Sequence, residues 1–462
     1  MSEFRVEKDS MGEMKVPVKA YYGAQTQRAV ENFPISGESL PREIVSALGL
    51  VKLVAARANS KLGLLDGERA EFIVKASEEV FKGGFLSEFV IDVYQTGSGT
   101  SSNMNANEVI ARRASELADS KELKIHPNDH VNMCQSSNDA IPTAIHIAVA
   151  MAITEKLLPA LELLRASLAS KSDEFMDILK TGRTHLQDAT PMTLGQEFSG
   201  YERQIEQSIW RVQRSLTSIF ELPLGGTAVG TGLNTHPDFP RTAISELATV
   251  TGLPFFEALN HFEAQGSKDG LVEMSGQLKC IATSIFKVAN DIRWLSCGPR
   301  CGFGEVSIPA VQPGSSIMPG KVNPVIIESL LMVCARVIGN DAVVTNGNIM
   351  GSAFELNVMM PVMGQALLES VRILSNSVKN FSEKCVVGIV ANKERLESLA
   401  EASIAICTAL APIIGYDKSA ELAKKAFVSG KSLRAVAKEA KVLSDDELDK
   451  ALDLMSMTKP GL

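Results

Sequence analysis

Apolar residues recur at helical spacings, mostly three or four, along three long stretches of the chain, and in the clearest of them the two spacings alternate. This spacing puts them on one side of an α-helix and is typical of a coiled-coil seam. The clearest stretch comprises Leu271, Met274, Leu278, Ile281, Ile285, Val288, Ile292 and Leu295. The second comprises Leu194, Phe198, Tyr201, Ile205, Val212, Leu216 and Ile219, and the third Ile141, Ile145, Val149, Ile153, Leu157, Leu161, Leu164 and Leu168. The pattern predicts long helices packed as a bundle, with Pro142 in the first turn of the third and a kink at Pro159.

A fourth stretch, 325–338, is apolar on almost every side and predicts a helix that is buried all round. Four such helices need more cover than one chain supplies, so a homo-oligomer is expected on packing grounds. Strand signals are few and short, and we predict an all-α fold. Changes in the pattern predict an N-terminal domain (1–135), a central helical-bundle domain (136–393) and a small C-terminal helical domain (394–462).

Composition and charge narrow the class of protein. The 462 residues are 45% hydrophobic and 22% charged, and the formal net charge of −8 argues against a general nucleic-acid-binding surface. The N-terminus has neither a signal-peptide nor a transit-peptide pattern, and no run of ~18 apolar residues predicts a membrane span. Seven scattered cysteines are typical of a reducing compartment. We therefore expect a cytoplasmic protein.

The segment 314–324 concentrates groups that bind anions. It contains two glycines, two serines, a lysine and an asparagine. Glycines allow backbone N–H groups to turn towards a ligand, and Lys321 adds a positive charge. Asn323 and Pro324 are predicted as the N-cap and first residue of the following helix, whose N-terminus would also attract an anion. We interpret this segment as an anion-binding loop rather than an ordinary surface loop.

Two further segments are rich in small polar groups. Residues 97–105 read Gly-Ser-Gly-Thr-Ser-Ser-Asn-Met-Asn, which indicates either a carboxylate-binding loop or a plain linker. Residues 126–139 contain two of the six histidines, and Asn138 or Asp139 is predicted as the N-cap of the next helix. Capping and anion binding are compatible at such a position. A metal site at the two histidines and Asp129 is the less favoured alternative, because no clean ligand spacing appears.

The segment 182–191 is the candidate for proton transfer. His185 lies there among other polar side chains, and imidazole is the side chain best suited to move protons near neutral pH. Glu328 lies in the nearly all-apolar helix after the 314–324 loop, where an unpaired carboxylate is costly. Either Glu328 holds His185 in one tautomer, or an arginine such as Arg336 satisfies it.

These segments resemble the conserved regions of the fumarase/aspartase superfamily and, within it, of the class II fumarate hydratase family. The resemblance extends to residues 21–28, 32–36, 408–412 and 414–417, and so spans essentially the whole chain. Aspartate ammonia-lyases share much of the pattern but typically have Gln, Ala and Asn where this chain has His185, Gly320 and His126. The three positions favour a fumarate hydratase. An ammonia-lyase acting on aspartate and a non-catalytic, lens-type relative are the alternatives.

The resemblance implies the tricarboxylic acid cycle reaction that adds water to fumarate, or removes it from (S)-malate, through an aci-carboxylate. Ser315 is the implied proton acceptor, and His185, oriented by Glu328, is the implied group on the opposite face. The implied substrate-binding residues are Ser98, Gly99, Thr100, Ser136, Ser137, Asn138, Thr184, Ser316, Lys321 and Asn323. A second carboxylate site is implied at His126, Asn128 and Asp129. Leu123 stands where family members have Arg, which predicts that this second site is weaker or altered.

The resemblance also implies the assembly. The family fold is all-α with three domains, and the central five-helix domains of four subunits form one helical core. Each active site draws residues from three subunits. We therefore expect a homotetramer that acts on a small dicarboxylate and uses no metal and no cofactor. The apolar seams alone do not specify a tetramer.

Overall fold

The computed structural model describes residues 3–119 and 123–461, and most of these residues are helical. The α-helices are α1 (Ala24–Asn32), α2 (Arg42–Lys61), α3 (Gly67–Phe81), α4 (Thr100–Ala118), α5 (Ser137–Ala152), α6 (Leu158–Glu174), α7 (Leu194–Phe220), α8 (Phe239–Thr251), α9 (His261–Gly266), α10 (Asp269–Leu295), α11 (Val325–Gly351), α12 (Met360–Lys384), α13 (Lys393–Ala402), α14 (Ala411–Ile414), α15 (Tyr416–Ser429), α16 (Leu433–Glu439) and α17 (Asp445–Ala451). Short 3₁₀ segments are Leu86–Glu88, Val386–Gly388, Ile404–Leu410 and Ser456–Thr458. Two π-helical turns are Pro127–Val131 and Ile153–Leu157.

The strands are short and pair two by two. β1 (Phe4–Asp9) and β2 (Gly12–Pro17) form an antiparallel hairpin, and so do β3 (Leu179–Thr184) and β4 (Gln187–Thr193). The others are β5 (Glu221–Leu222), β6 (Phe256–Glu257), β7 (Val306–Ser307), β8 (Ser352–Ala353), β9 (Leu356–Asn357) and β10 (Val390–Ala391). β5 pairs with β6 in parallel, whereas β7 with β10 and β8 with β9 are antiparallel. No sheet in the described part of the chain exceeds two strands. The predicted all-α class is confirmed.

The three predicted seams are buried along their whole length. Every residue named for them is at most 5% exposed. In the third seam, α5 and α6 are joined by the π-helical turn Ile153–Leu157, directly before Pro159. Pro159 has no N–H, and the wider turn shifts the hydrogen-bond ladder just ahead of it. The irregularity predicted at Pro159 is therefore a π-helical turn, and the apolar stripe continues through it.

α11 is buried on one side only. Along that side, Ile327, Leu330, Cys334 and Val337 are at most 1% exposed. On other sides, Met332, Ile349 and Met350 are 69%, 70% and 71% exposed. Within a single chain α11 is therefore covered on one side, and its burial on every side stays a prediction for the expected homo-oligomer.

The described residues divide into two compact units. The first contains the described residues up to Pro159, with Trp210–Ala282 and Ala335–Ser375. The second contains Ala160–Ile209, Thr283–Cys334 and the described residues from Asn376 onwards. The predicted three-domain division at residues 135 and 393 stays a prediction. Within the second unit, one apolar cluster comprises Ile406, Leu410, Leu422, Ala426, Leu433, Val436, Ala437, Leu448 and Leu452.

In the described ranges, no single helix is long and apolar enough to cross a membrane. One bent pair of helical segments, Lys393–Ala402 with Ile404–Ile414, meets the criteria of length and composition together, with a 62° bend at the break.

Candidate functional site

The loop before α4 brings two hydroxyl groups to a helix N-terminus. Gly99 has a φ of +72° and precedes the first residue of α4. A Cβ on Gly97 would lie 1.7 Å from the carbonyl oxygen of Val358, so no larger residue fits there. The Oγ of Ser98 and the Oγ1 of Thr100 are 2.8 Å apart. The N–H groups in the first turn of a helix have no intrahelical partners. Hydroxyl and N–H donors therefore meet at this loop, as the carboxylate-binding interpretation requires.

α5 begins with a capping box that positions three predicted substrate-binding residues. The N–H of Ser136 donates to Oδ1 of Asp139 at 2.9 Å, and Oγ of Ser136 accepts from the N–H of Asn138 at 3.2 Å. Ser136 is therefore the N-cap, and the prediction that Asn138 or Asp139 caps the helix is wrong. Asp139 is instead the third helical residue, where its carboxylate completes the box. Pro142 consequently lies in the second turn rather than the first. Ser137 is the first residue of α5.

Two buried charges lie near this turn. Oδ2 of Asp139 accepts the N–H groups of Gly225 and Thr227, both at 3.0 Å. Burial raises the pKa of the Asp139 carboxyl to about 6, although these hydrogen bonds oppose the shift. Burial also lowers the pKa of the Lys52 ammonium to about 7, with the charge of Asp139 acting in the opposite direction. Lys52 is not among the predicted site residues. Its signal was a lone lysine within the apolar run 50–54 of α2.

His126 stands at the start of the π-helical turn Pro127–Val131. Its Nδ1 accepts the N–H groups of Asn128 at 3.3 Å and Asp129 at 3.1 Å. A neutral His126 therefore has its proton on Nε2. The N–H of His126 donates in turn to Nδ1 of His130 at 2.8 Å. Among the described residues, no three His, Cys, Asp or Glu side chains are arranged so that they could hold a metal ion.

A cavity of about 790 Å³ adjoins the His126 turn in the first unit, and His126 and Asn128 line it. The arginines that line the cavity donate hydrogen bonds to main-chain carbonyl groups. Arg5 donates to the carbonyl oxygens of residues 17, 18, 20 and 22, and Arg112 donates to that of Ala20 at 2.5 Å. Leu123 is half-buried. The second carboxylate site stays a prediction.

The β3–β4 hairpin presents His185 at its tip. His185 and Leu186 form the two-residue turn and have φ values of +56° and +60°. Positive φ at both turn positions is the geometry that two-residue hairpins favour, and it usually calls for Gly or Asn. A histidine and a leucine there each cost about 1–2 kcal/mol. Both side chains are exposed, as is Thr184 at the end of β3. Strain of this kind is typical of functional sites.

A buried ion-pair cluster anchors β3. The guanidinium of Arg183 bonds to the carboxylate of Glu305, which is fully buried, and lies 4.4 Å from the centre of the Phe303 ring. The ammonium of Lys180 lies 3.7 Å from the same carboxylate and 3.0 Å from that of Glu197. The register of the hairpin shifts between Thr181 and Arg183. Lys180 and Arg183 lie on either side of this shift, and both pair with the carboxylate of Glu305.

The 314–324 loop closes on itself. The N–H of Gly314 donates to the carbonyl oxygen of Lys321 at 2.7 Å, and Nδ2 of Asn323 donates to the carbonyl oxygen of Gly314 at 2.5 Å. Asn323 therefore ties the two ends of the loop together, and its prediction as the N-cap of α11 is wrong. The helix begins at Val325. Lys321 and Ser316 are exposed.

Ser315 receives two hydrogen bonds from the loop itself. Its Oγ accepts the N–H of Met318 at 2.9 Å and the N–H of Ile317 at 3.2 Å. Two donors aimed at one hydroxyl oxygen stabilise negative charge on it. The loop therefore supplies what an alkoxide at Ser315 would need.

Glu328 lies in the first turn of α11, and its side chain is exposed rather than buried. Arg336, the alternative partner, pairs with Glu369 at 2.9 Å. This side of α11 is uncovered in a single chain, so the burial of Glu328 stays a prediction for the expected oligomer. The role of Glu328 in orienting His185 stays a prediction.

Comparisons with known proteins agree along the whole chain. A family profile described as "Lyase" matches residues 12–339, and one described as "Fumarase C C-terminus" matches residues 406–459. The chain is 50% identical to the class II fumarate hydratase of Yersinia pestis over 452 residues, which cover 97% of each chain. It is 50% identical to that of Corynebacterium glutamicum over 461 residues, which cover 98% of this chain and 96% of the relative. The crystal structure of class II fumarase from Schistosoma mansoni matches with a TM-score of 0.97 at 41% identity, covering 99% of this chain and 100% of that one.

Proposed function

The chain belongs to the class II fumarate hydratase family of lyases, and we propose that it catalyses the reversible hydration of fumarate to (S)-malate in the tricarboxylic acid cycle. The observation that carries the proposal is the environment of Ser315. Its Oγ accepts the N–H groups of Ile317 and Met318. A serine is a weak base unless its alkoxide is stabilised, and this loop provides two donors for that purpose.

Ser315 takes the C3 proton of malate in this mechanism. Removal of that proton leaves a carbanion delocalised into the adjacent carboxylate, which then has two negative charges. Lys321 and Asn323 bind this carboxylate at the 314–324 loop. One Nδ2 hydrogen of Asn323 is used by the carbonyl of Gly314, and the second is left for substrate. Fixed donors at a developing charge typically contribute ~3–4 kcal/mol each.

His185 protonates the departing hydroxyl on the opposite face, directly or through one water. The strained turn holds its backbone in a conformation that few side chains adopt, and the Arg183–Glu305 pair fixes the strand below it. Glu328 of the assembled enzyme holds the imidazole in one tautomer. Its exposure in a single chain leaves it free to meet a histidine of another subunit.

The N-termini of α4 and α5 bind the other end of the substrate. They carry six of the predicted binding residues: Ser98, Gly99, Thr100, Ser136, Ser137 and Asn138. Both helix N-termini favour negative charge, and the serine and threonine hydroxyls add directional donors. A net charge of −8 makes such local donors necessary for a dianionic substrate.

The working form in this proposal is a homotetramer in which three subunits share each active site. Uncovered apolar side chains on the long helices support an oligomer. They include Trp210 on α7, Phe286 and Trp294 on α10, and Met332, Ile349 and Met350 on α11, all more than 40% exposed. The apolar core of a subunit interface would cover such side chains. A cytoplasmic location is also part of the proposal, because an odd number of cysteines scattered along the sequence is typical of a reducing compartment.

The test is an absorbance assay for fumarate with the purified protein. Supplied with (S)-malate, the enzyme should produce fumarate, and supplied with aspartate it should release neither fumarate nor ammonia. Ammonia release from aspartate without turnover of malate would identify an aspartate ammonia-lyase instead. No turnover of either substrate by a folded oligomer would indicate the non-catalytic alternative.

A further inference from the structure

Lys52 is a buried cation at the centre of an amide network in the first unit. Its side chain lies on α2 and is fully buried. Its ammonium donates to Oδ1 of Asn103 at 2.8 Å, to Oδ1 of Asn132 at 3.0 Å and to Oε1 of Gln135 at 2.9 Å. A protonated lysine has three N–H donors and no acceptor, so the network satisfies it completely.

The ammonium decides which way each amide faces. An Asn or Gln side chain can turn either its oxygen or its NH₂ group towards a neighbour, and the two are distinguished by their partners. A protonated Lys52 only donates, so Asn103 then presents its oxygen to Lys52, and its NH₂ group donates to Oδ1 of Asn132 at 3.2 Å and to the other side. On that side, Nδ2 of Asn103 donates to Oγ of Ser137 at 3.1 Å.

The direction of this bond determines whether the Ser137 hydroxyl can donate its hydrogen to a ligand. Oγ of Ser137 acts as acceptor towards Asn103, so its own hydrogen points elsewhere. Asn103 is the one side-chain hydrogen-bond partner of the Ser137 hydroxyl among residues 3–119 and 123–461. The hydroxyl hydrogen is therefore left for a ligand at the N-terminus of α5, and a carboxylate accepts such a hydrogen.

We propose that Lys52 is a positioning residue: through Asn103 it directs the hydroxyl hydrogen of Ser137 towards a carboxylate of the substrate. The inference rests on the proposed function, which makes Ser137 a substrate-binding residue. The chain of hydrogen bonds runs from the Lys52 ammonium to the Asn103 amide, then to the Ser137 hydroxyl and finally to the substrate carboxylate. At each step the group nearer Lys52 is the donor. The positive charge lies at the inner end of this chain, so it also favours the anion electrostatically.

Asn103→Asp reverses the direction of the bond to Ser137 with little change of shape, and it also removes the bond to Oδ1 of Asn132. The two side chains have nearly the same shape, and a carboxylate at position 103 still accepts from Lys52. It has no hydrogen to donate, however, so Ser137 must donate into it. The hydroxyl hydrogen then points away from the substrate, and a second negative charge lies behind it.

The experiment measures kcat and KM for fumarate with the purified oligomer of three variants: Asn103→Asp, Ser137→Ala and the double variant. Each single variant should raise KM about tenfold or more and leave kcat within about twofold, because a bond to a non-reacting carboxylate contributes equally to ground and transition states. The double variant should be no worse than the poorer single variant, since both changes remove the same bond. Circular dichroism melting checks that the Asn103→Asp oligomer is intact. Dissociation constants for succinate, an unreactive dicarboxylate, should rise in parallel with KM.

Lys52→Met is the second probe. Without the ammonium, Asn103 is free to turn its oxygen towards Ser137, so KM should again rise and should not rise further on adding Ser137→Ala. A wild-type KM in both Asn103→Asp and Lys52→Met, with a raised KM in Ser137→Ala, would overturn the inference while leaving the proposed function intact. If Asn103→Asp does not assemble, the KM of Lys52→Met alone decides: a wild-type value would overturn the inference.

A wild-type KM in Ser137→Ala would exclude Ser137 from the site and would overturn the inference as well. Absence of malate turnover in the unaltered enzyme would instead contradict the proposed function.

Discussion

The guanidinium of Arg183 bonds to the fully buried carboxylate of Glu305. Arg183 lies two residues before His185, and Glu305 lies ten residues before Ser315. One ion pair thus joins the strand that carries the proposed proton donor to the segment that leads into the proposed base. Because the pair is buried and packed against Phe303, it resists small displacements of β3 and of the segment at Glu305.

Glu305→Gln should therefore lower both stability and turnover. The change leaves the guanidinium of Arg183 and the ammonium of Lys180 facing a neutral amide, and breaking a buried pair in this way typically costs ~3–5 kcal/mol. We expect a lower melting temperature and a fall in kcat that exceeds any change in KM. The matched control is Glu206→Gln, which removes the partner of Arg203 in an exposed pair and should change neither. Wild-type kcat in Glu305→Gln would show that the pair does not position His185.

Ser315→Ala should abolish most of the turnover. The variant keeps the loop backbone but has no oxygen to accept the C3 proton, and we expect kcat to fall ~10²–10³-fold with KM little changed. Ser432→Ala is the control, because Ser432 also accepts a backbone N–H, from Ala435 at 3.3 Å, but lies at the start of α16. If Ser315→Ala retained wild-type kcat, another group would have to be the base.

His185→Asn should cut turnover ~10²-fold or more while the oligomer persists. Asparagine tolerates a positive φ better than most residues, so the turn should keep its shape. Leu186→Asn makes the same replacement at the neighbouring position, where φ is +60°, without touching the imidazole. This control should remain active. Steady-state kinetics with malate measure both, and wild-type turnover in His185→Asn would exclude the histidine from proton transfer.

A charge placed on the uncovered side of α11 should break the oligomer. We expect the double change Ile349→Glu and Met350→Glu to lower the molecular mass in analytical ultracentrifugation and to abolish activity, because charges at an apolar interface are desolvated without partners. Phe427→Glu is the control, as Phe427 is 80% exposed but lies on α15 and not on a long helix. A tetramer of unchanged activity would contradict this assignment of the interface.

His146 should make the folded state sensitive to acid. Burial and the charge of Lys268 together lower the pKa of its imidazole from 6.5 to about 4, against the hydrogen bond to the Ile219 carbonyl. A depressed pKa means that the folded state binds fewer protons than the unfolded state between pH 6.5 and 4. Stability is therefore lost as the pH falls through this window, by about 3 kcal/mol for the whole shift.

The difference between the unaltered protein and His146→Gln isolates this contribution from those of other groups. Denaturant unfolding at pH 7 and at pH 4.5 should show a smaller loss of stability in the variant. Asp139 acts with the opposite sign, because its raised pKa adds stability as the pH falls from about 6 towards 3.8, and it is common to both proteins. Equal losses in the two proteins would show that His146 is not buried as a neutral group.

Local pattern predicted some parts of this protein well and others poorly. The seam of α10 was readable because residues three and four apart share one face of a helix, whatever surrounds them. The caps of α5 and α11 were each placed wrongly, since Ser136 and Asn323 have several possible partners nearby in the sequence. Asn323 bonds to Gly314, nine residues away, and no propensity for capping reveals that choice.

The sequence by itself determined the helical class, the buried seams and the family, because periodicity and short polar segments are properties of neighbouring residues. Only the tertiary structure decided which groups Lys52 and Arg183 contact. Lys52 and Asn103 are 51 positions apart, and Arg183 and Glu305 are 122 apart, so their bonds exist only after the chain has packed. A buried charge is costly unless it is paired or hydrogen-bonded, and its partners come from distant parts of the sequence that the fold brings together.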